Sequence, residues 1–132
     1  MTRLLLDTTF LIDAERSAGA LDELIGDDDD AAVAAITIAE LQVGVHVATG
    51  LRRTSRQDFL DAVVSTVPVL DYDLNVAVQH AELLFHVRQQ GEPRGAHDLI
   101  IAATARAAGR TVVTADRAAF EGLPDVELRY HR

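Results

Sequence analysis

The 132-residue sequence predicts an α/β fold with a central parallel sheet and helices on both faces. Three observations carry this. Short apolar runs, such as residues 3–6 and 111–114, have the length and composition of buried strands. Between them lie longer stretches whose apolar residues recur at helical spacing. Strands that alternate with helices pair in parallel, because the helix supplies the crossover that parallel neighbours need. Finally, 48% hydrophobic and 25% charged residues over this length suit one globular domain spanning 1–132.

Residues 3–6 give the first strand, and Thr8 or Thr9 caps a helix carrying Phe10, Leu11 and Ile12. Leu21, Leu24 and Ile25 indicate a short helix stopped by Gly26. Residues 33–36 read as the second strand, and Ile38, Leu41 and Val45 then share one helical face. Phe59, Leu60, Val63 and Val64 mark a further helix, ended before Pro68, and residues 69–72 a short strand. Val76, Leu83 and Val87 lie on one face of a helix that Gly91 ends. Residues 96–108 form an Ala-rich helix stopped by Gly109. Strands at 111–114 and 126–130 complete the chain.

Composition excludes several chemistries. The chain has no cysteine, so disulfides, thiolate nucleophiles and cysteine-held metals are out. All twelve basic residues are Arg, so there is no Walker A lysine and no Schiff base. The net charge of −9 opposes bulk electrostatic attraction to nucleic acid. Chemistry on RNA or DNA would need local neutralisation by a metal ion, an Arg patch, or both. No apolar run approaches the roughly 18 residues of a membrane span. Asp7 breaks the first apolar stretch too early for a signal peptide, so a cytoplasmic location is expected.

Four acids fall at strand-to-helix corners. Asp7 ends the first strand, Glu40 lies in the first turn after the second, Asp98 opens the Ala-rich helix, and Asp116 follows the strand ending at Thr114. Singly, each has a structural explanation. Asp7 and Asp116 are capping residues, Thr37 and Glu40 match a capping box, and Asp98 complements a helix dipole. Together they invite another. Right-handed crossovers put such corners on one edge of a parallel sheet, and carboxylates converging there repel. A hard dication with oxygen ligands resolves the repulsion, hence Mg²⁺ or Mn²⁺. His46, His80, His86, His97 and His131 show no metal-like spacing, which argues against zinc.

Four segments carry a family resemblance. Residues 4–13 (LLLDTTFLID), 36–44 (ITIAELQVG), 97–105 (HDLIIAATA) and 112–120 (VVTADRAAF) resemble, in order and spacing, the motifs of PIN-domain ribonucleases. The small size is similar to the VapC toxins of VapBC toxin–antitoxin pairs. The resemblance covers the whole chain. It implies an α/β/α sandwich with an acidic metal site formed by Asp7, Glu40, Asp98 and Asp116, with the Thr114 hydroxyl in support. It further implies Mg²⁺ or Mn²⁺ held by Asp7 and Asp98, with Asp116 as a further ligand and Glu40 acting through water. The implied substrate is a tRNA or ribosomal RNA loop, cut to leave a 5′-phosphate and a 3′-hydroxyl. The implied partners are a VapB-like antitoxin and a second copy of the chain.

The remaining features have plainer readings. Asp27 to Asp30 read as a solvated loop. Arg52, Arg53 and Arg56 read as a solvated face, with RNA phosphate as the alternative. His80 reads as a partly buried core residue, His97 as a helix start and Asp13 as a surface position. The Ile38/Leu41/Val45 and Phe59/Val63 stripes read as core. Two competing functions remain: another Mg²⁺-dependent phosphohydrolase, and a non-catalytic binding module. The first is weakened by the missing Lys and by the absence of an Asp-x-Asp at Asp7-Thr8-Thr9. The second is weakened by the cost of clustering unpaired acids.

Overall fold

The sheet contains β1 (Thr2–Leu6), β2 (Asp29–Ala34), β3 (Val69–Leu70), β4 (Thr111–Thr114) and β5 (Leu128–Tyr130). They pair in the order β3-β2-β1-β4-β5, and every pairing is parallel. A computed structural model describes residues 1–17 and 25–132. The short helix expected at Leu21 and Leu24 lies outside the described residues.

The described helices are α1 (Thr8–Arg16), α2 (Ala35–Val47), α3 (Gly50–Thr66), α4 (Leu74–Gln90), α5 (Ala96–Ala108) and α6 (Arg117–Phe120). No described helix is long and apolar enough to cross a membrane. Gly91 and Gly109 end α4 and α5 in the left-handed conformation, at φ 67° and 63°, which only glycine adopts without a steric penalty.

The central strand shows why both faces are covered. Successive side chains of a strand point to opposite faces. Leu5 packs on one side with Ala32, Val112, Leu83, Ile101 and Phe120. Leu4 and Leu6 pack on the other with Leu11, Val33, Val63 and Val113. A parallel strand buried on both faces therefore reads as a continuous apolar run, as residues 4–6 do. Leu41 and Val45 of α2, and Val76, Leu83 and Val87 of α4, are buried as their spacing predicts.

Strand boundaries differ from the sequence reading. The second strand runs from Asp29 to Ala34, not over 33–36, and Ala35 and Ile36 open α2. Tertiary partners let the acids enter the sheet. Arg110 Nη1 donates to Asp30 O at 2.7 Å, Asp30 Oδ1 at 3.2 Å and Leu4 O at 3.2 Å, and Arg129 pairs with Asp29 at 3.5 Å. The Asp27 to Asp30 run is thus half turn and half strand. β3 and β5 are shorter than expected, and among the described strands they lie at the two edges of the sheet.

Candidate active site

The carboxyl ends of β1, β2 and β4 all face one sheet edge, since the strands are parallel. The chain leaves that edge into α1, α2 and α6, and the start of α5 joins them. Asp7 sits directly after β1 and is the N-cap of α1. Its Oδ1 accepts from Phe10 N at 2.9 Å and Thr9 Oγ1 at 2.8 Å, and its Oδ2 accepts from Thr114 Oγ1 at 2.5 Å. It is only 2% exposed. Burial pushes its pKa above the ordinary carboxylate value, against the hydrogen bonds, of which that from Thr114 is the strongest.

Thr114 ties two corners together. Its hydroxyl donates to Asp7 and accepts from the backbone N–H of Asp116 at 2.9 Å. Asp116 is exposed and caps α6, its Oδ1 accepting from Ala119 N at 3.1 Å.

Glu40 is not in a capping box. The N-cap of α2 is Ala34, and Thr37 lies inside the helix, fully buried. Glu40 is in the second turn rather than the first. Its Oε1 accepts from Thr8 Oγ1 at 2.9 Å, and its Oε2 lies 3.5 Å from His97 Nδ1. Thr8 adjoins Asp7 and His97 adjoins Asp98, so Glu40 bridges two acidic corners.

Asp98, the third residue of α5, is half-buried. Its pKa is raised first by burial, then by the negative charges of Asp116, Glu40 and Asp7. All four acids therefore share one electrostatic neighbourhood, and Asp98 feels the charge of the other three. Gly95, the N-cap of α5, makes room for this: a Cβ there would stand 2.6 Å from Asp98 Oδ2.

Three comparisons bear on this geometry. The PIN domain profile matches residues 4–125. The chain is similar to Ribonuclease VapC5 of Mycobacterium tuberculosis, at 37% identity over 93% of this chain and 91% of that protein. It is also similar to Ribonuclease VapC2 of Rickettsia felis, at 30% identity over 80% of this chain and 78% of that protein. The chain belongs to the PIN-domain family, as a VapC-type member. A crystal structure of VapBC2 from Rickettsia felis, bound to a DNA fragment from their promoter, contains a chain of the same fold. Its TM-score is 0.89 at 26% identity, covering 99% of this chain and 100% of that one. A chain of VapBC-5 from Mycobacterium tuberculosis matches at TM-score 0.79 and 32% identity, covering 98% and 99%.

The donor set of this PIN domain fits a hard dication. A carboxylate offers about four lone-pair positions. Three hydrogen bonds leave Asp7 one of them, on Oδ2. Among the described residues, no three His, Asp or Glu groups already close around a common point. A triple ligation by Asp7, Asp98 and Asp116 is therefore not preformed. Mg²⁺ keeps several waters and takes one or two carboxylates, so such a site does not need a closed cage, whereas structural zinc does.

Thr8, Thr9, His97 and Gly95 also shape the site, and their roles escaped the sequence reading. Thr8 and Thr9 read as helix caps, but the cap is Asp7, and the two hydroxyls hold Glu40 and Asp7 instead. Asp13 is not a plain surface residue: its Oδ2 lies 2.9 Å from His131 Nε2 and accepts from Arg132 Nε at 2.7 Å. Of the arginine cluster, Arg53 donates to the carbonyls of Val45, His46 and Ala48 at the end of α2. Arg56 donates to Gly44 O at 2.7 Å and lies 3.9 Å from Glu15. These two hold helices together rather than forming an open phosphate patch. His80 is half-buried, with Nδ1 2.8 Å from the Tyr72 hydroxyl.

Proposed function

We propose that this PIN domain is an Mg²⁺- or Mn²⁺-dependent endoribonuclease, the toxin of a VapBC-type pair. The observation that carries the reading is the convergence of Asp7, Glu40, Asp98 and Asp116, felt as a raised Asp98 pKa. Structural roles explain Asp7 and Asp116, which cap helices, but not the gathering of Asp98 and Glu40 beside them. The names of the relatives, ribonuclease VapC2 and VapC5, support the same chemistry.

Asp7 and Asp98 hold the ion in this reading, with Asp116 as a further ligand. When bound, the dication supplies an acidified water and positive charge for the phosphate. Thr114 and Thr9 keep the Asp7 carboxylate in one orientation. Glu40, held by Thr8, is placed to orient the attacking water and to accept its proton. In-line attack then leaves a 5′-phosphate and a 3′-hydroxyl. The substrate we infer is a tRNA or ribosomal RNA loop, where unstacked bases are accessible.

The partners we infer are a VapB-like antitoxin and a second copy of this chain. The solved relatives include several toxin–antitoxin complexes. The surface also exposes apolar side chains that a partner would cover, among them Val43, Val47, Leu51 and Phe85.

Purified protein incubated with total cellular RNA tests the function. Discrete fragments are expected with Mg²⁺ or Mn²⁺, and none with EDTA or with Asp98→Asn. Release of free phosphate from monoesters without RNA cleavage would instead place the chain among phosphohydrolases. Absence of both cleavage and metal binding would leave a binding module.

A further inference from the structure

We propose that a cleft beside Glu40 is a nucleotide subsite, which seats one unstacked base of single-stranded RNA next to the scissile phosphate. The proposal rests on the nuclease reading above. The cleft has a volume of about 130 Å³ and lies where α1, α2 and α3 meet. Ile12 and Phe59 give it apolar walls, Arg56 pairs there with Glu15, Arg16 adds a guanidinium, and Thr8 and Glu40 form the wall it shares with the acidic site. A ligand in the cleft therefore touches a residue of the reaction centre. Of the two guanidinium groups, Arg56 is engaged with Gly44 O and Glu15, and the exposed Arg16 is the one offered to an RNA phosphate. Aromatic and arginine side chains are also the common platforms for unstacked bases.

Gly44 is the telling residue. It is the tenth of thirteen residues in α2, a helix interior where only proline is worse than glycine. Its backbone is not in the left-handed region, so conformation does not call for glycine. Crowding does not call for it either. A Cβ there would meet only Arg56 Nη1, at 3.8 Å, an ordinary contact. Glycine here keeps the cleft open, since Gly44 and Arg56 both line it. A local rule broken without a structural return marks a functional constraint.

The test measures binding of a labelled ten-nucleotide single-stranded RNA by fluorescence anisotropy. All proteins carry Asp98→Asn, so that nothing is cleaved. Gly44→Ala, Gly44→Leu and Phe59→Ala are compared, each with its melting temperature. Gly44→Ala is expected to melt higher, because alanine favours the helix, yet to bind RNA more weakly. Gly44→Leu and Phe59→Ala are expected to weaken binding roughly tenfold to a hundredfold, the range of one lost base stack. A duplex of the same length is expected to be indifferent to all three substitutions. In the chain with Asp98 restored, Gly44→Leu is expected to leave Mn²⁺ affinity unchanged by calorimetry. The proposal is overturned if folded Gly44→Ala and Gly44→Leu bind the single strand as tightly as the parent. The cleft would then serve a protein segment or nothing. If no metal-dependent cleavage is ever found but single-strand binding still depends on Gly44, the nuclease reading fails and the subsite stands.

Discussion

Asp7 is at once a helix cap and a site carboxylate, and the two roles do not compete. Oδ1 serves the first turn of α1, while Oδ2 faces Thr114 and keeps a lone pair to spare. Asp98 has no such compensation. Its raised pKa means that its charge destabilises the fold above that value and ceases to do so once the group is protonated. Asp98→Asn is therefore expected to abolish cleavage and, in EDTA, to raise the melting temperature at neutral pH. The gap between variant and parent should shrink as the pH falls and close below the ordinary carboxylate value, where Asp98 is neutral in both folded and unfolded chains. A lower melting temperature for Asp98→Asn at pH 7 would contradict the repulsion. Thr37 carries a second local cost. Its hydroxyl is buried and has no hydrogen-bond partner among the described residues. Leaving such a group unsatisfied costs about 1–3 kcal/mol, so Thr37→Val is expected to stabilise by about 1 kcal/mol in urea denaturation. A loss of stability would mean that the hydroxyl is satisfied by water.

Helix ends do much of the positioning. α1, α4 and α6 begin with aspartate caps, and each cap accepts from a backbone N–H three residues on. α2 has no side-chain cap at its start, and its end is closed by Arg53, whose guanidinium reaches three carbonyls. Cations near a helix C-terminus also complement its dipole. Arg53→Ala is expected to lower stability by about 1–2 kcal/mol while leaving RNA affinity unchanged. Arg52→Ala, on the exposed side of α3, should stay within about 0.5 kcal/mol of the parent. Equal destabilisation by both would show that the carbonyl contacts of Arg53 contribute little. Arg94 works in the same way across elements, donating to Ala118 O at 3.1 Å and Glu121 O at 2.7 Å. It thereby ties the loop before Asp98 to the helix capped by Asp116.

The sheet order brings the site together. Placing β1 between β2 and β4 sets Asp7 between the corner of Glu40 and that of Asp116. An assembly of like charges held this way costs stability while no cation neutralises it. Ligand binding should return it: at a hundred times its dissociation constant, a metal that binds only the folded chain adds about 2.7 kcal/mol. Mg²⁺ or Mn²⁺ is thus expected to raise the melting temperature of the parent protein, and to have little effect on Asp98→Asn. An equal shift in both would place the ion elsewhere, for instance at the surface acids. Acidification has a separate effect through Asp13, whose pKa is lowered, chiefly by its hydrogen bonds to Arg132 and His131. A carboxylate depressed on folding stabilises above its ordinary pKa, and that contribution is lost as the pH falls through the lowered value.

Local pattern alone determined most of the architecture. The apolar runs at 4–6 and 111–114 are short because a strand buried on both faces needs no polar alternation. Residues 96–108 are helical as read and Asp116 caps a helix as read, because alanine content and a cap act within one turn. The four acids were legible because parallel topology delivers every such corner to one edge. What the sequence could not determine depends on partners distant along the chain. Asp29 and Asp30 enter the sheet only because Arg129 and Arg110 meet them there. Glu40 leaves its local capping choice because Thr8, 32 residues away in sequence, offers a hydroxyl. Arg53 and Arg56 turn inward because carbonyls of α2 lie within reach of α3. Each of these side chains had a local alternative, and the packing of distant elements selected between them.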